Sequence, residues 1–315
     1  MHVPCGILCT MHVIITHASP DWDAIGSVWV LKRFLPGWDN AKVEFVPAGN
    51  RSPRVARKEK ETTEQVVVET DDTKIIHVDT GLTPLDHHQI YDTKICSVSR
   101  SWEYVLQQNP LLHATTSDAR REDKIQAMER IVAYLVGLDH FQEVFWTDAA
   151  SDMHEFTIYG ILEGMKGLHP DDDGYFVSWG MEILDAMLRR FESRIWAEKE
   201  IANGKEFGTK WGKGLAVETI NDSAIKLAQK MGYVVVVRRD PRKGYVRIKA
   251  VPYKEGVTPD VNLSLVHSQL EKMDPNATWF LHVSNKMLLN GTPKNPKMIP
   301  TKLTLDEIVA VLEKI

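Results

Sequence analysis

The first half of the chain alternates short β-branched runs with helical stretches. That alternation constrains the fold more than any other feature. Val13-Ile14-Ile15-Thr16 reads as a strand ending at His17-Ala18-Ser19-Pro20, where Pro20 stops regular pairing. Ala24 to Phe34 then reads as a helix closed by Pro36-Gly37, and Lys42 to Val46 as a second strand. Lys74 to Val78 and Lys94 to Val98 supply a third and a fourth. Strands alternating with helices predict an α/β fold with a doubly wound parallel sheet. Arg120 to Gly137 is helical, with Ile125, Met128, Ile131, Val132, Leu135 and Val136 on one stripe. A further helix is expected from Met153 to Lys166. The aspartates of His169-Pro170-Asp171-Asp172-Asp173-Gly174 are read as a solvated loop in preference to a metal site. A long charged helix follows, from Val177 to about Lys205.

The last hundred residues change character. Leu215-Ala216-Val217, Tyr233 to Val237, Tyr245 to Val251 and Trp279 to Val283 read as strands. Residues 239–244 form a hairpin turn, Asp222 to Met231 a helix, and Thr304-Leu305-Asp306-Glu307 a capping box that opens a final helix. The expected division is 1–190 for a metal-binding catalytic domain, 191–211 for the end of a linker helix, and 212–315 for a smaller substrate-binding α/β domain.

With 38 Lys and Arg against 43 Asp and Glu, the net charge is −5, which disfavours a broad nucleic-acid-coating surface. No apolar run approaches the roughly 18 residues of a membrane span, and no basic segment marks a signal peptide. The cysteines Cys5, Cys9 and Cys96 are too few and too uneven for a disulfide framework, so a reducing, cytoplasmic setting is expected. Cys5 and Cys9 have no second pair, which argues against zinc there.

The chemistry concentrates in the first half. His17-x-x-x-Asp21-x-Asp23 follows the C-terminal end of an apolar strand and precedes a helix, where open α/β sheets place ligands. Grouped imidazole and carboxylates need a partner, and a divalent cation is one. The competing reading is that Asp21 or Asp23 merely caps the helix. Asp79 ends a second apolar strand, and seven residues later comes Asp86-His87-His88, whose plainer reading is an exposed polar loop. Hard oxygen ligands with imidazole and no thiolate suit Mn²⁺ or Mg²⁺. No Gly-x-Gly-x-x-Gly follows a strand, which excludes a nicotinamide-dependent enzyme on the same sheet.

Taken in order, these segments resemble motifs I, II and III of the DHH phosphoesterase superfamily. This RecJ-like group includes oligonucleotide exonucleases, cyclic-dinucleotide phosphodiesterases and manganese pyrophosphatases. The resemblance covers roughly the first 140 residues. It implies a fourth-motif Asp, with Asp139 the candidate and Asp148 and Asp152 its rivals. It also implies two ions, Mn²⁺ or Mg²⁺, one held by His17, Asp21 and Asp79 and the other by Asp23, Asp79, His87 and Asp139. Asp86 would orient its neighbours and His88 would touch the substrate phosphate; these two are the catalytic candidates. His77 is expected to be packed or supporting, not a ligand.

The superfamily's C-terminal Gly-Gly-Gly-His and Ser-Arg-Lys-Lys-Gln motifs are both absent. His282, Ser284, Lys286 and Asn290 stand in the comparable place, read either as substrate contacts or as ordinary hairpin polar residues, and Arg51 is a further phosphate candidate. The expected activity is two-metal hydrolysis of a small phosphorylated substrate, a nucleotide or a short single-stranded oligonucleotide, phosphodiesterase- or exonuclease-like. The alternative is a non-catalytic nucleotide- or partner-binding module built on the same fold. No membrane partner is expected, and a homodimer is left open.

Overall fold

A computed structural model describes residues 10–113, 119–292 and 294–315. Cys5 and Cys9 lie outside the described residues. The chain divides into two compact units, one ending at Arg189 and the other beginning at Arg190.

In the first unit, β1 (Met11–His17) is followed by α1 (Trp22–Phe34), β2 (Lys42–Val46), α2 (Glu59–Glu64), β3 (Val68–Glu69) and β4 (Thr73–His77). Among the described residues these strands form one sheet in the order β2-β1-β4-β3. β1 runs parallel to both β2 and β4, whereas the two-residue β3 is antiparallel at the edge. Val13, Ile14 and Ile15 are fully buried because β1 is central and covered on both faces, which is why it reads as a continuous apolar run.

Helices α3 (Ser97–Gln108), α4 (Pro110–His113), α5 (Ala119–Asp139), α6 (Ile158–Leu168) and α7 (Asp173–Ala202) follow. α1 packs against α3 and α5. Gly26 permits that approach: a Cβ there would lie 2.8 Å from Leu135 and 3.0 Å from Val98. Two expectations need correction. Residues 94–98 are not a strand but a turn leading into α3. Cys96 stands at the N-cap and Ser99 closes the reciprocal capping contact, while Val98, Trp102 and Val105 continue the apolar stripe at helical spacing. The helix expected from residue 153 is a 3₁₀ turn, Asp152–Phe156, followed by α6.

The second unit contains β5 (Lys205–Thr209), β6 (Gly212–Glu218), α8 (Ser223–Lys230), β7 (Val235–Arg239), β8 (Val246–Ala250), α9 (Ser264–Met273), β9 (Trp279–Leu281), β10 (Met287–Asn290) and α10 (Leu305–Lys314). Its sheet order is β5-β6-β7-β8-β10-β9, with β6 and β7 parallel and the other pairs antiparallel. Of the neighbouring strands, only β6 and β7 follow one another through a helix, and they take the parallel arrangement. β7 and β8 form the expected hairpin: Asp240 N–H donates to the Tyr245 carbonyl across the turn at 2.8 Å. α10 opens with the expected capping box, Glu307 N–H donating to Thr304 Oγ1 and Thr304 N–H to the Glu307 carboxylate. The long helix α7 ends at Ala202, and β5 lies within the segment expected to close the linker.

Candidate metal centre

β1 and β4 end side by side, with Ile15 in register with His77. The loops after these neighbouring parallel strands therefore emerge at one edge of the sheet. After β1 the chain turns through Ser19, a non-glycine residue at φ 54°, whose N–H donates to Asp173 at 2.8 Å. Asp173, expected in a solvated loop, instead opens α7 and braces this turn. Asp21 is the N-cap of α1, its Oδ1 accepting from Asp23 N–H at 2.9 Å and Ala24 N–H at 3.0 Å. The capping alternative is realised at Asp21, and it occupies one oxygen only.

Asp23 is engaged differently. Its carboxylate is buried, with Oδ1 accepting from Val98 N–H at 2.6 Å and Oδ2 from Ser97 N–H at 2.7 Å. It caps the N-terminus of α3, where the unpaired N–H groups and the helix dipole favour an anion. Burial, together with the charges of Asp79 and Asp139, still pushes its pKa well above the usual carboxylate range.

After β4 the chain reaches Asp79 at φ 53° and Gly81 at φ 76°, two left-handed positions that fold the loop back over the strand end. Asp79 is 3% exposed, and its Oδ2 lies 3.2 Å from His17 Nε2. Burial works against the Asp79 charge, but the His17 hydrogen bond together with the nearby His87 and His88 rings outweighs it and holds the pKa at about 2. Conversely, burial works against a charged His17, and the bond to Asp79, the Ala18 carbonyl and the Asp79 and Asp21 charges together outweigh it and lift His17 to about 9. His77 is packed, as expected. Its Nε2 accepts from Ser52 N–H at 3.0 Å, and burial plus the nearby Arg51 charge lower it to about 4.

Asp86 is engaged at both oxygens. Oδ2 accepts from Leu82 N–H at 2.7 Å, and Oδ1 lies 2.7 Å from His88 Nδ1 and accepts from His88 N–H at 3.2 Å. With Nδ1–H donated to Asp86, the Nε2 of the exposed His88 is the free acceptor. His87 Nε2 is 3.5 Å from Asp23, 3.6 Å from Asp79 Oδ1 and 3.7 Å from Asp139 Oδ2. Asp139 arrives at the last residue of α5.

Three buried atoms here, Asp79 Oδ1, His87 Nε2 and Asp139 Oδ2, have no hydrogen-bond partner. His87 Nε2 stands 3.6 Å from the Asp79 atom and 3.7 Å from the Asp139 atom, just too far for hydrogen bonds. Divalent cations here would give these atoms partners, so the donor set fits a metal. Ligand atoms lie within 4.8 Å of one another in the groups His17-Asp21-Asp79, Asp79-His87-His88, His87-Asp139-His140 and Asp23-Cys96-Asp139. Asp148 and Asp152 belong to no such group among the described residues.

Sequence reasoning passes over His140 and Cys96. His140 has a signal, since an Asp-His pair at 139–140 repeats the pairing in Asp86-His87. Its Nε2 lies 2.8 Å from the Ile95 carbonyl oxygen, which ties the ring to the turn before α3. Cys96 has none, because its role follows from capping α3; burial and the Asp23 charge push its thiol far up, keeping it protonated.

Arg51 joins the same rim, its Nε donating to the Gly81 carbonyl at 2.6 Å. A Cβ at Gly81 would meet the Arg51 side chain at 2.7 Å. The remaining candidates belong to the second unit. His282 Nδ1 is 2.9 Å from Ser284 Oγ in the turn after β9. Lys286 pairs with Asp260 and donates to the Val261 carbonyl at 2.5 Å. Asn290 is fully buried; its amide donates to the Thr278 and Ile299 carbonyls at 2.9 and 3.1 Å, and its oxygen accepts from Thr301 N–H at 2.6 Å. Asn290 thus ties backbone groups inside its own unit.

An α/β unit with this Asp/His rim is what the DHH resemblance implies for the first half of the chain. No family model matches the chain, and no curated protein matches it. Among solved structures it is similar to the DHH domain of a protein described as a member of a family of ribosomal proteins, at 11% identity and TM-score 0.31, covering 98% of this chain and 87% of that one. It is also similar to a pGpG-specific phosphodiesterase from Vibrio cholerae, at 12% identity and TM-score 0.23, covering 90% of this chain and 94% of that one. The likeness to DHH proteins rests on motifs I to III and their assembly at one sheet edge. Among the described residues, no helix is long and apolar enough to cross a membrane.

Proposed function

We propose that this chain is a metal-dependent phosphohydrolase acting on a small phosphorylated substrate or a short oligonucleotide phosphodiester. The observation that carries the reading is the trio Asp79 Oδ1, His87 Nε2 and Asp139 Oδ2, buried and unpaired, contributed by the loop after β4, the Asp86-His87-His88 segment and the end of α5. Structural polar groups are satisfied when buried, whereas a ligand-ready set is not. His17, Asp21 and Asp79 are assigned to one ion, and Asp23, Asp79, His87 and Asp139 to a second. When bound, divalent cations neutralise phosphoryl charge and lower the pKa of water.

The chain's own residues do the rest. Asp23, fixed by two N–H groups of α3, and Asp79, fixed by His17, keep carboxylate orientation from drifting. Asp86 fixes the His88 tautomer so that Nε2 faces outward as an acceptor; once protonated, it donates to a phosphate oxygen. Arg51, held by Gly81, adds a positive charge beside the rim.

The test is a panel of substrates assayed with Mn²⁺ and with Mg²⁺: pGpG, longer single strands, cyclic dinucleotides, pyrophosphate and a chromogenic phosphodiester. Turnover should be abolished by chelation, restored by metal, and greatest on the short substrates. Tight metal binding with no turnover on any of them would favour the non-catalytic module instead. Rates that keep rising well beyond about ten nucleotides would replace the small substrate with a long strand.

A further inference from the structure

Immediately after Asp139 the chain forms a 3₁₀ turn, Gln142–Phe145, and a second, Asp152–Phe156. Between them lies a cavity of about 330 Å³. It is lined by Phe141, Trp146, His154 and Tyr159 and by Glu143 and Glu155, and no Lys or Arg is among the lining residues. Both carboxylate oxygens of Glu143 are shielded from solvent and have no hydrogen-bond partner. Tyr134, outside the lining, stacks on Trp146 with ring centroids 6.0 Å apart and 22° between planes, which steadies the indole. His154 packs against the same indole at 5.1 Å.

The physical consequences point one way. An acid without a partner in a low-dielectric wall leaves its field unbalanced inside the cavity. The field is felt nearby: burial first, and then the Glu143 charge, raise the pKa of Tyr134, while at Tyr159 burial is followed by Glu163, Glu143 and Glu155. Aromatic faces attract cations through their quadrupoles. A phosphate or carboxylate ligand would meet two acids and no counter-charge. A primary ammonium has three N–H groups to satisfy, and with the Glu143 oxygens shielded from contact only Glu155 among the lining acids is left to accept from it. An alkylated ammonium carries charge without N–H donors and fills apolar walls.

We infer that this cavity binds a small alkylated ammonium ion, of the trimethylammonium class, through the Phe141, Trp146 and Tyr159 rings and the Glu143 charge. At about 30 Å³ per water, the space equals some ten waters, enough for that head and a short tail. The inference does not rest on the phosphohydrolase reading, because its measurement is binding.

The experiment titrates the full chain with choline and with 3,3-dimethylbutan-1-ol, its uncharged isostere, followed by calorimetry and tryptophan fluorescence. Choline should bind at least about tenfold more tightly than the isostere, and Glu143→Gln should remove most of that advantage without changing isostere binding. Equal affinities on the wild-type chain would overturn the proposal, since shape alone would then account for binding. So would the absence of choline binding at about 10 mM, a level weaker than any useful site. Spermidine binding as tightly as choline would overturn the alkylated class, and a trimethyl-lysine peptide binding tenfold tighter than choline would overturn the small-molecule occupant.

Discussion

In the second unit Asn290 and Asp274 are buried and fully engaged. Asn290 joins Thr278, Ile299 and Thr301, and Asp274 accepts from Thr301 Oγ1 and Lys302 N–H, both at 2.8 Å. In the first unit Asp79, His87 and Asp139 each keep one buried atom without a partner. The residue types are similar; what differs is whether the fold itself satisfies every donor and acceptor. A closed network locks strands together. An open one, gathered where parallel strands end, is costly to the fold alone and offset by a ligand.

The largest expected effect breaks the open network. Asp79→Asn should lower phosphohydrolase turnover at least about 1,000-fold, over about 4 kcal/mol, and lower bound metal, because it removes charge from both assigned ions. Circular dichroism should stay native; near-normal turnover would remove Asp79 from the site. Next comes the closed network. Asn290→Ala takes a partner from the Thr278 carbonyl and from Thr301 N–H, whereas the Ile299 carbonyl keeps Thr278 N–H. It should cost about 2 kcal/mol in denaturant unfolding, while specific activity of the folded protein is retained. An activity loss with unchanged stability would return Asn290 to the substrate.

A pH test sharpens the comparison between His77 and its neighbours. His77 must be neutral to accept from Ser52, and its folded pKa of about 4 lies below its ordinary value of 6.5. The unfolded chain therefore takes up the proton first as pH falls. The stabilisation is complete above about pH 6.5 and is lost progressively down to about pH 4, about 3 kcal/mol in all. His77→Phe should flatten this part of the stability profile, and a His77 ring resonance titrating near 6.5 would contradict it. The smallest effect is at Lys286, whose ammonium is already committed to Asp260 and Val261. Lys286→Ala should cost about 1 kcal/mol or less and leave KM unchanged. A raised KM would show that it leaves Asp260 to contact substrate.

Much of the first unit is legible in the residues because period and punctuation agree there. β1, β2 and β4 follow from β-branched runs, α1 from Asp21 and Pro36, and the gathering of motifs I to III from parallel topology. The segment around Cys96 is not legible, since Ile95-Cys96-Ser97-Val98 has strand composition and its helix start depends on Asp23, more than seventy residues earlier. β3 escapes because two residues carry no period. The burial of Asn290 is not legible, because a polar residue at a strand end looks the same whether it faces solvent or three backbone groups.

The bond from Asp23 to α3 has a consequence for descendants of this chain. A copy that drifted away from catalysis would be free to lose Asp139 or His87, whose unpaired atoms give the fold nothing. It could not lose Asp23 so easily, because the start of a helix hangs on it. An aspartate surviving at position 23 would thus be a poor witness to activity, and one surviving at position 139 a good one.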